Sequence, residues 1–361
     1  MSRLQRPKIL TLAILTLAIL TLAILTPKMT PDLTMNPPTD FVSVIIPTYK
    51  RPHLVSRAVH SALSQTLAHL EVVVVVDGPD PEVEAVLGAI ADPRLRVVVL
   101  PQNRKLAGAR NAGVRAARGT WVAFLDDDDE WLPAKLERQL ELAQRSPHAY
   151  PIITTRVINR TARGDLIWPK RFPQPDEPLS EYLFVRNSLF HGEGFILPST
   201  YFVRRELLLK YPFEHNKHED YDWLLRVTAQ EDAAVAYVPE ALAIWHSHTE
   251  VGRQRLGQIS NWKYSLEWIQ SARERVTPRA YAGFVITRVG SQAALEGDRQ
   301  AFWPVLRDAI AHGQPRPLDY LLYLGMWLIP QQTRQRLRSL VAKVKPAAKP
   351  TSPSSKSVST V

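Results

Sequence analysis

Residues 41–144 alternate between short apolar runs and stretches with helical spacing, and this alternation limits the fold more than any other feature of the chain. An apolar run of five or six residues bounded by turn residues predicts a buried strand. The predicted strands are 41–46, which Pro47 would end, 71–76, 96–100 and 120–125. The predicted helices are 53–65, 81–90, 107–117 and 133–144. Strands that alternate with helices in this way predict a mostly parallel sheet with helices on both faces.

The fourth predicted strand continues into four aspartates, Asp126 to Asp129. Neighbouring carboxylates repel one another unless positive charge lies among them. Mg²⁺ and Mn²⁺ prefer oxygen ligands, and substrate phosphates often complete their coordination. Two interpretations of this stretch stay open: a metal that holds a diphosphate, or an acidic turn that begins the helix marked by Pro133. Ligands bind at the carboxyl ends of strands in such sheets, which is where residues 47–49, 77–78 and 126–129 lie.

The alternation weakens after residue 150. Strands are predicted at 152–158, 199–203 and 233–237, and a helix is predicted at 220–230. Residues 159–195 contain four prolines and no regular spacing, so they predict a loop. From residue 259 onward the spacing predicts helices. The apolar helix at 318–329 is too short to span a bilayer, and it is either an interfacial helix beside a basic run or an ordinary packed helix.

The chain carries a formal net charge of +10, and the excess lies at its two ends. No acidic residue follows Asp319, whereas seven lysines and arginines do, and residues 1–32 carry a net charge of +3. The neutral body between argues against a dedicated nucleic-acid surface, and the basic ends favour contact with an anionic membrane. Residues 346–361 predict a disordered basic tail. The chain has no cysteine, which excludes a disulfide framework and a thiolate metal site and fits a reducing compartment.

Residues 1–38 form an apolar repeat segment followed by a linker. Thr-Leu-Ala-Ile-Leu occurs three times in succession within an uncharged stretch, residues 9–26. This stretch predicts a marginal transmembrane helix or the apolar core of a signal peptide. A third interpretation is a tandem repeat in the coding sequence that is not translated, with Met29 or Met35 as the start. Residues 27–39 are rich in proline and threonine and predict the linker.

Four segments of the chain, in order, resemble glycosyltransferase family 2, whose fold is called GT-A. The segments are Val42-Ser43-Val44-Ile45-Ile46-Pro47-Thr48-Tyr49-Lys50-Arg51, the run from Asn103 to Ala109-Arg110-Asn111-Ala112-Gly113, the run Phe124-Leu125-Asp126-Asp127-Asp128-Asp129-Glu130-Trp131-Leu132-Pro133-Ala134-Lys135-Leu136, and His218-Glu219-Asp220-Tyr221-Asp222-Trp223-Leu224-Leu225-Arg226. The resemblance covers about residues 40–250. It implies an α/β fold of the GT-A (Rossmann-like) kind, with a mostly parallel central sheet flanked by helices and a helical C-terminal extension. The expected boundaries are 39–255 for the glycosyltransferase domain and 256–345 for the extension.

The resemblance implies that one group of residues binds a nucleotide-sugar donor: Pro47, Thr48, Tyr49, Arg51, Asp77, Arg110, Asp126 and Asp127. Asp77 matches the aspartate that contacts the base, where its carboxylate accepts from a ring N–H. The family often has a second aspartate where this chain has Val76, and it usually has glycine where Lys105 stands. These departures leave the base open, with a UDP-sugar as the expected donor.

The aspartate-x-aspartate (DXD) metal motif of the family matches Asp126 and Asp128. The resemblance implies that Asp128 ligates a divalent metal, Mn²⁺ or Mg²⁺, with Asp126 beside it and His248 as a further candidate ligand near the diphosphate. Asp127 and Asp129 take supporting or solvated positions. The metal would offset the charge that builds on the diphosphate leaving group.

Asp220 matches the general base of the family. A carboxylate there can take the proton of an acceptor hydroxyl as that hydroxyl attacks the anomeric carbon. The family inverts the anomeric carbon by a single displacement, so the resemblance implies no covalent nucleophile. The acceptor pocket is expected at His191, Glu193, Thr200 and Glu219.

Together the motifs predict a non-processive, inverting glycosyltransferase that moves a sugar from a nucleotide donor to a hydroxyl of a glycan or lipid-linked acceptor. Its expected setting is cell-envelope polysaccharide biosynthesis in the cytoplasm, in peripheral contact with the membrane or anchored by the N-terminal segment. A processive synthase is disfavoured because the sequence lacks Gln-x-x-Arg-Trp, and a nucleotidyltransferase because the first loop has no glycine. The alternative is a non-catalytic nucleotide-sugar binder or scaffold of the same fold.

Overall fold

The computed structural model describes residues 40–161, 164–189, 192–215, 217–246, 261–329 and 333. None of the helices in these ranges has the length and apolarity that crossing a membrane requires. The predicted repeat segment 1–38 and basic tail 346–361, together with His191 and His248, lie outside the described residues. The domain boundaries given above stay predictions.

The first half of the described chain alternates strand and helix, as predicted. Its strands are β1 (Val42–Thr48), β2 (Leu70–Val76), β3 (Leu95–Val99), β4 (Trp121–Phe124) and the short β5 (Glu130–Trp131), and its helices are α1 (Pro52–Leu63), α2 (Pro81–Gly88), α3 (Lys105–Ala116) and α4 (Lys135–Gln144). β1 pairs in parallel with β2 on one side and with β4 on the other, and β3 pairs in parallel with β2. The carboxyl ends of these four strands therefore meet at one edge of the sheet, the edge where such sheets bind ligands.

Pro47 does not end β1, contrary to the prediction, because the strand continues to Thr48. The Thr48 carbonyl accepts from the Asp77 N–H on the β2 side, and the Ile45 carbonyl accepts from the Leu125 N–H on the β4 side. Backbone groups two residues apart in a strand point the same way, so Pro47 faces the β4 side. Since pairing with β4 ends at Ile45, the missing N–H of Pro47 removes no ladder bond.

The second half of the sheet is mixed. Its strands are β6 (Tyr150–Thr161), β7 (Gly164–Trp168), β8 (Phe202–Arg204) and β9 (Ala233–His246), and its helices are α5 (Leu179–Phe184), α6 (Arg205–Lys210) and α7 (Glu219–Gln230). β8 is antiparallel to β4 and β6, whereas β6 and β9 are parallel. The strand order is β3-β2-β1-β4-β8-β6-β9-β5, with β7 beside β6. The predicted α/β fold, a central sheet flanked by helices, is confirmed. Parallel pairing joins β1, β2, β3 and β4 in the first half and β6 to β9 in the second.

Residues 159–195 are more regular than the predicted loop, since they contain the end of β6, all of β7 and α5. Four of the five residues of β7 are exposed, so that strand has no alternation of buried and exposed positions that a pattern could show. The strand predicted at 199–203 is instead a 3₁₀ turn, Pro198–Thr200, followed by β8. β6 and β9 extend beyond their predicted bounds, to 12 and 14 residues.

Helices cover both faces of the sheet, so β1 and β2 are buried throughout. α1, α2 and α4 pack on one face through apolar side chains that include Val55, Val59, Val83, Leu136 and Leu140. α3, α6 and α7 pack on the other face through Ala112, Leu207, Trp223 and Leu224. A Cβ atom added at Gly113 of α3 would lie 2.4 Å from Ile45 Cγ2 and 3.1 Å from Val75 Cγ2. Glycine at 113 therefore lets the helix backbone approach the sheet closely.

The predicted helical C-terminal extension is present. Its helices are α8 (Trp262–Ser271), α9 (Pro278–Phe284), α10 (Gly290–Glu296), α11 (Phe302–His312) and α12 (Pro317–Leu328), with a π-helical turn at Val285–Val289. They enclose an apolar cluster around Tyr281 and Phe284, which Leu225 of α7 joins. A buried ion pair between Arg279 and Asp319 ties α9 to the start of α12. The extension therefore packs directly on the helix that carries Asp220.

Candidate active site

The aspartate run follows β4 and faces the carboxyl end of β1. Asp127 is buried there and accepts a 2.7 Å hydrogen bond from Thr48 Oγ1 and a 2.9 Å hydrogen bond from Arg51 Nη1. Burial raises the pKa of Asp127 to about 6, although Arg51 and the Thr48 hydroxyl act in the opposite direction. The fold thus brings two predicted donor-binding segments, 79 residues apart at Thr48 and Asp127, into direct contact.

Arg110 links the aspartate run to α7. This α3 side chain is 1% exposed, and its guanidinium donates to Asp126 Oδ1 at 2.9 Å and to Glu219 Oε1 at 3.2 Å. The rings of Phe124 and Phe213 lie 5.9 and 5.6 Å from the guanidinium. Burial alone would lower the pKa of Arg110, but the carboxylates of Asp126 and Glu219 outweigh burial and raise it. A fixed positive charge therefore lies between the predicted metal motif and the predicted base segment.

The other two aspartates of the run have different surroundings. Asp128 Oδ2 lies 3.6 Å from Arg51 Nη1, and the Asp128 carbonyl accepts from Arg57 Nη2 at 2.6 Å. Asp129 is buried and accepts from Ser199 Oγ at 2.6 Å. The sequence did not predict Arg57 or Ser199, because each lies about 70 residues from its aspartate in a segment without a recognisable pattern.

Asp126 and Asp128 retain more solvent contact than Asp127, with side chains 26%, 13% and 6% exposed. Two accessible carboxylates at a strand end fit Mg²⁺ or Mn²⁺, which take oxygen ligands and leave coordination positions to phosphates. Hydrogen bonds from other elements engage Asp127 and Asp129, in keeping with supporting positions. The metal and its ligands stay predictions, and His248 lies outside the described residues.

Another group of metal-ligating atoms lies at the start of α7. Glu214, His215 and Asp222 each place one such atom within 4.8 Å of the others. Asp222, however, is buried with Arg275 Nη1 at 3.2 Å and Arg226 Nε at 3.3 Å. Because two guanidinium groups already neutralise that carboxylate, the chemistry of this group favours an ion-pair cluster over a metal site.

Asp77 and Tyr49 lie at the same edge of the sheet. Asp77 is buried, and its Oδ1 accepts from the backbone N–H of Arg104 at 2.6 Å; burial raises the pKa of Asp77. Tyr49 is 45% exposed, with the Lys50 ammonium 5.3 Å from the centre of its ring. Lys105, which stands where the family usually has glycine, has a φ of 64°. That left-handed conformation is the one glycine adopts without strain, so the loop keeps the backbone shape despite the lysine.

Asp220 lies in the first turn of α7, beside Glu219. Burial, and then the Glu219 charge, raises the pKa of Asp220 to about 7, against the opposing effects of Arg110 and Arg288. Tyr201 is fully buried nearby, and its hydroxyl has no hydrogen-bond partner within the described part of the chain. Burial and the Asp220 charge raise the pKa of Tyr201 well above its usual value. A carboxyl group with a pKa of about 7 is half ionised at neutral pH, which suits a general base.

The C-terminal helices complete the surroundings of Asp220. His218, which precedes α7 with a φ of 62°, places Nε2 2.9 Å from Ser265 Oγ and its ring 4.8 Å from that of Trp268. Burial lowers the pKa of His218 to about 3, so the ring is neutral. Arg288 donates to the Tyr221 hydroxyl at 2.9 Å. These contacts join segments that share no motif, which is why the sequence did not predict them.

The residues predicted for the acceptor pocket differ in accessibility. Glu193 is half-buried with Arg171 Nε at 3.3 Å, and Arg171 also donates to both carboxylate oxygens of Glu177 at 2.6 Å. Thr200 is fully buried, and its hydroxyl lies 2.5 Å from Thr154 Oγ1. Its burial favours packing beneath the site over contact with an acceptor. Glu219 forms the bridge to Arg110 described above.

A polar layer that the sequence did not indicate lies beneath the aspartate run. Lys135 is fully buried; its Nζ donates to Gln139 Oε1 at 2.6 Å and lies 3.7 Å from the centre of the Trp131 ring. Burial lowers the pKa of Lys135 well below its usual value. Trp131 Nε1 in turn donates to the Ser199 carbonyl at 2.7 Å. The layer therefore fixes the end of the aspartate run against the 3₁₀ turn that precedes β8.

Known proteins are similar to the part of the chain that carries the aspartate run. The sequence model described as Glycosyl transferase family 2 matches residues 43–211. The chain is 34% identical over 204 residues to the succinoglycan biosynthesis protein ExoO of Rhizobium meliloti, a match that covers 54% of this chain and 55% of that protein. It is 28% identical over 246 residues to the amylovoran biosynthesis glycosyltransferase AmsB of Erwinia amylovora, covering 66% of this chain and 79% of that protein.

A third relative is the Escherichia coli protein WfgD, named UDP-Glc:alpha-D-GlcNAc-diphosphoundecaprenol beta-1,3-glucosyltransferase. It is 29% identical over 186 residues, covering 51% of this chain and 68% of that protein. The chain spans about half the length of the ExoO protein. The family match begins in β1, includes the aspartate run and ends just beyond α6. Over residues 43–211, just under half of its length, the chain is similar to glycosyltransferase family 2.

Proposed function

We propose that the protein is an inverting glycosyltransferase that moves a sugar from a UDP-sugar to a hydroxyl of a lipid-linked or glycan acceptor. The observation that carries the proposal is the Arg110 bridge, which holds Asp126 of the metal motif and Glu219 on one guanidinium. Because Asp220 follows Glu219, the bridge sets a carboxyl group with a pKa of about 7 beside the motif. The name of the E. coli relative, which specifies UDP-glucose and a diphosphoundecaprenol acceptor, supports the donor and acceptor classes.

In the proposed reaction, Asp220 accepts the proton of the acceptor hydroxyl. The hydroxyl oxygen bonds to the anomeric carbon while the bond from that carbon to the UDP diphosphate breaks. This single displacement inverts the anomeric carbon and needs no covalent intermediate. Burial, and then the Glu219 carboxylate, keeps the pKa of Asp220 high enough for proton transfer near neutral pH, and Arg110 compensates the charge of the Glu219 carboxylate.

The donor is bound at the strand ends. Asp77 accepts a hydrogen bond from a ring N–H of the nucleotide base. The exposed ring of Tyr49 offers a face on which that nucleotide base can stack. Arg51 lies between Asp127 and Asp128, where its charge can contact the diphosphate. Asp126 and Asp128 would hold Mg²⁺ or Mn²⁺, which offsets the charge of the departing UDP when it is bound.

Donor binding to the full chain tests this proposal. Thermal unfolding is followed with UDP-, GDP-, dTDP- and CDP-sugars, with and without Mn²⁺, since a ligand of the folded state raises the unfolding temperature. We expect a Mn²⁺-dependent rise with UDP-sugar that Asp128→Ala loses. Asp165→Ala, which removes a half-exposed carboxylate on β7, is the matched control and should keep the rise. If none of the four donors raises the temperature, the UDP-sugar proposal fails and the scaffold alternative takes its place.

We also propose that α12 rests on an anionic membrane on the cytoplasmic side, where nucleotide sugars are available. Its exposed apolar side chains are Leu321, Leu324 and Leu328. Residues 320–329 contain no charged side chain, and seven lysines and arginines follow in the sequence. Trp303 adds an exposed ring nearby, since its neighbour Phe302 packs 5.4 Å from Trp327. An apolar helix face next to a basic run suits an interfacial helix, which would bring the site to a lipid-linked acceptor.

Co-sedimentation with vesicles tests the membrane contact. The parent should bind vesicles that contain phosphatidylglycerol and should bind phosphatidylcholine vesicles weakly. Replacing Leu321, Leu324 and Leu328 together with glutamine should abolish binding. Leu209→Gln, on an exposed apolar position of α6, is the control and should bind like the parent. Equal binding by the triple variant would remove α12 from the contact.

A further inference from the structure

Arg156, in the middle of β6, is a half-buried cation whose side chain has no hydrogen bond or ion pair with the residues that the structure describes. Its Nε is sealed from solvent without a hydrogen-bond partner. A cation–π contact with Phe172 partly offsets its charge, since the centre of that ring lies 5.9 Å from the guanidinium. A half-buried guanidinium without a carboxylate is unfavourable unless an anion joins it.

A second cation lies beside it. Lys170 is held by its backbone N–H, which donates to the Glu193 carbonyl at 3.1 Å, and its ammonium lies 5.0 Å from the centre of the Trp168 ring. Partial burial, and then the charge of Arg156, lowers the pKa of Lys170. The next residue, Arg171, shows the contrast, since it is fully paired with Glu177 and Glu193. Val157 of β6 pairs with Trp168 of β7, which brings the segments of the two cations together, and neither cation forms an ion pair with a carboxylate of the described residues.

The pairing of β6 with its neighbouring strand is irregular at Arg156. Pairing with β9 matches Thr155 to Val238, Arg156 to Ala241 and Val157 to Ala243, so the register shifts on both sides of Arg156. Bulges of this kind re-aim a side chain and are common next to binding sites. The shift indicates that the direction of Arg156 is built into the strand rather than left to a flexible loop.

The pair lies on the same side of the sheet as the predicted base. Phe172, which carries Arg156 on its face, packs 5.1 Å from the ring of Tyr237. Burial raises the pKa of Tyr237, and Tyr201 adds to that rise; the charge of Asp220 likewise raises the pKa of Tyr201. Tyr237 also belongs to the apolar cluster that holds Tyr201 and Trp223, and Trp223 lies on α7 together with Asp220.

We propose that Arg156 and Lys170 bind a phosphate or diphosphate group of the acceptor. A guanidinium fork and an ammonium are the two groups that proteins use for phosphate, one by paired hydrogen bonds and the other by point charge. The aromatic rings beside the pair suit the sugar next to that phosphate: Trp168 meets Phe195 edge to face, and Phe195 stacks on Trp245. This inference rests on the proposed function, since it names the acceptor class of the same site.

Calorimetric titration of the full chain with inorganic pyrophosphate tests the subsite. UDP binding is measured first in each variant, because that step alone tests the donor side. Pyrophosphate is then titrated into protein saturated with UDP, so that the donor diphosphate position is filled. We expect Arg156→Gln and Lys170→Gln each to weaken pyrophosphate binding at least about tenfold, with Arg156→Lys intermediate because it keeps the charge but loses the fork. Arg138→Gln, an exposed arginine paired with Glu141 on α4, is the matched control.

Two further titrants identify the anion and its source. Arg156→Gln should bind both a glycosyl 1-phosphate and a short-chain prenyl diphosphate more weakly than the parent does. The loss should be larger for the glycosyl 1-phosphate, because it has no lipid chain that could contact the protein. Glucuronate, a carboxylate, should bind the parent weakly and without change in the variant. Pyrophosphate affinity that is unchanged in both glutamine variants overturns the subsite even where UDP binds normally. Loss of glucuronate binding with unchanged pyrophosphate binding overturns the phosphate assignment.

Discussion

The two sides of the candidate site, one proposed for the donor and the other for the acceptor, differ in how their polar groups are satisfied. On the donor side, the aspartates at 126–129 contact side chains from other elements: Arg110, Thr48, Arg51 and Ser199. On the acceptor side, the described residues give the Arg156 side chain no hydrogen bond or ion pair and leave the Tyr201 hydroxyl buried without a partner. Arg110 Nε on the donor side is also buried without a partner, but the same guanidinium is paired with Asp126 and Glu219. Satisfied buried networks are rigid, whereas unsatisfied buried groups need a ligand to complete them. The difference indicates a donor side that is formed before binding and an acceptor side that its ligand completes.

Removal of the base is the strongest way to separate the two sides. Asp220→Asn should lower turnover by about 100- to 10,000-fold, because an amide cannot accept the hydroxyl proton. The dissociation constant for UDP-sugar should change little, since Asp220 does not belong to the donor side. Steady-state kinetics and equilibrium binding measure the two effects. Asp232→Asn, which removes an exposed carboxylate beside His148, is the control. Full turnover with weakened donor binding would move Asp220 to the donor side.

Loss of the bridge tests whether the donor side is one network. Arg110→Met leaves Asp126 and Glu219 without their shared counter-charge, and breaking a buried ion pair costs about 3 kcal/mol. We expect the free energy of unfolding to fall by about that amount in denaturant titrations, with weaker binding of UDP-sugar. Arg138→Met removes an exposed arginine and should change stability by less than about 1 kcal/mol. Equal stability of the two variants would contradict a preformed donor side.

The pH dependence of sugar transfer tests the role of Asp220 on the acceptor side. Asp220 has its pKa raised to about 7, so the base is protonated below that pH. The value of kcat/KM should therefore rise by up to about tenfold per pH unit below pH 7 and level off above it. The raised pKa also means that the folded state loses stability as pH rises from about 4 to about 7. Thermal unfolding should show that Asp220→Asn removes this loss, and a flat rate profile would argue against the base assignment.

A single hydrogen bond on the donor side gives the smallest expected effect. Thr48→Val removes the hydroxyl that donates to buried Asp127, which should lower the free energy of unfolding by about 1 kcal/mol. It should also raise the pKa of Asp127 further, since that hydroxyl now lowers it. The matched control is Thr66→Val, whose hydroxyl donates to Glu137 at the surface. Equal unfolding temperatures for the two variants would show that Asp127 is not held by this bond.

The donor side could be predicted in outline because its residues follow strands. Parallel strands bring their carboxyl ends together, so Thr48, Asp77 and Asp127 were expected near one another before any contact was known. The partners could not be predicted in the same way. Arg110 and Glu219 are 109 residues apart, and they meet only because β8 and α7 fold back onto the first half of the sheet. No local pattern encodes that return.

The sequence could not predict the contacts on the proposed acceptor side, for two physical reasons. β7 is mostly exposed on both faces, so its residues show no alternation, and the surrounding prolines favoured a loop. Arg156 sits at a register shift that depends on β9, some eighty residues later in the chain. Thr200, assigned to the acceptor pocket by resemblance, is buried in the structure. His191 and the ligand assignment of His248 stay predictions.

Gly113 links the spacing between α3 and the sheet to the ion pair between Arg110 and Asp126 on the donor side. It lies one helical turn after Arg110, and any side chain there would press on Ile45 and Val75 of the sheet. The distance at which α3 rests on β1 therefore sets how far the guanidinium must extend to meet Asp126. Gly113→Ala would therefore push α3 away from the sheet and lengthen that reach, with every charged residue left in place.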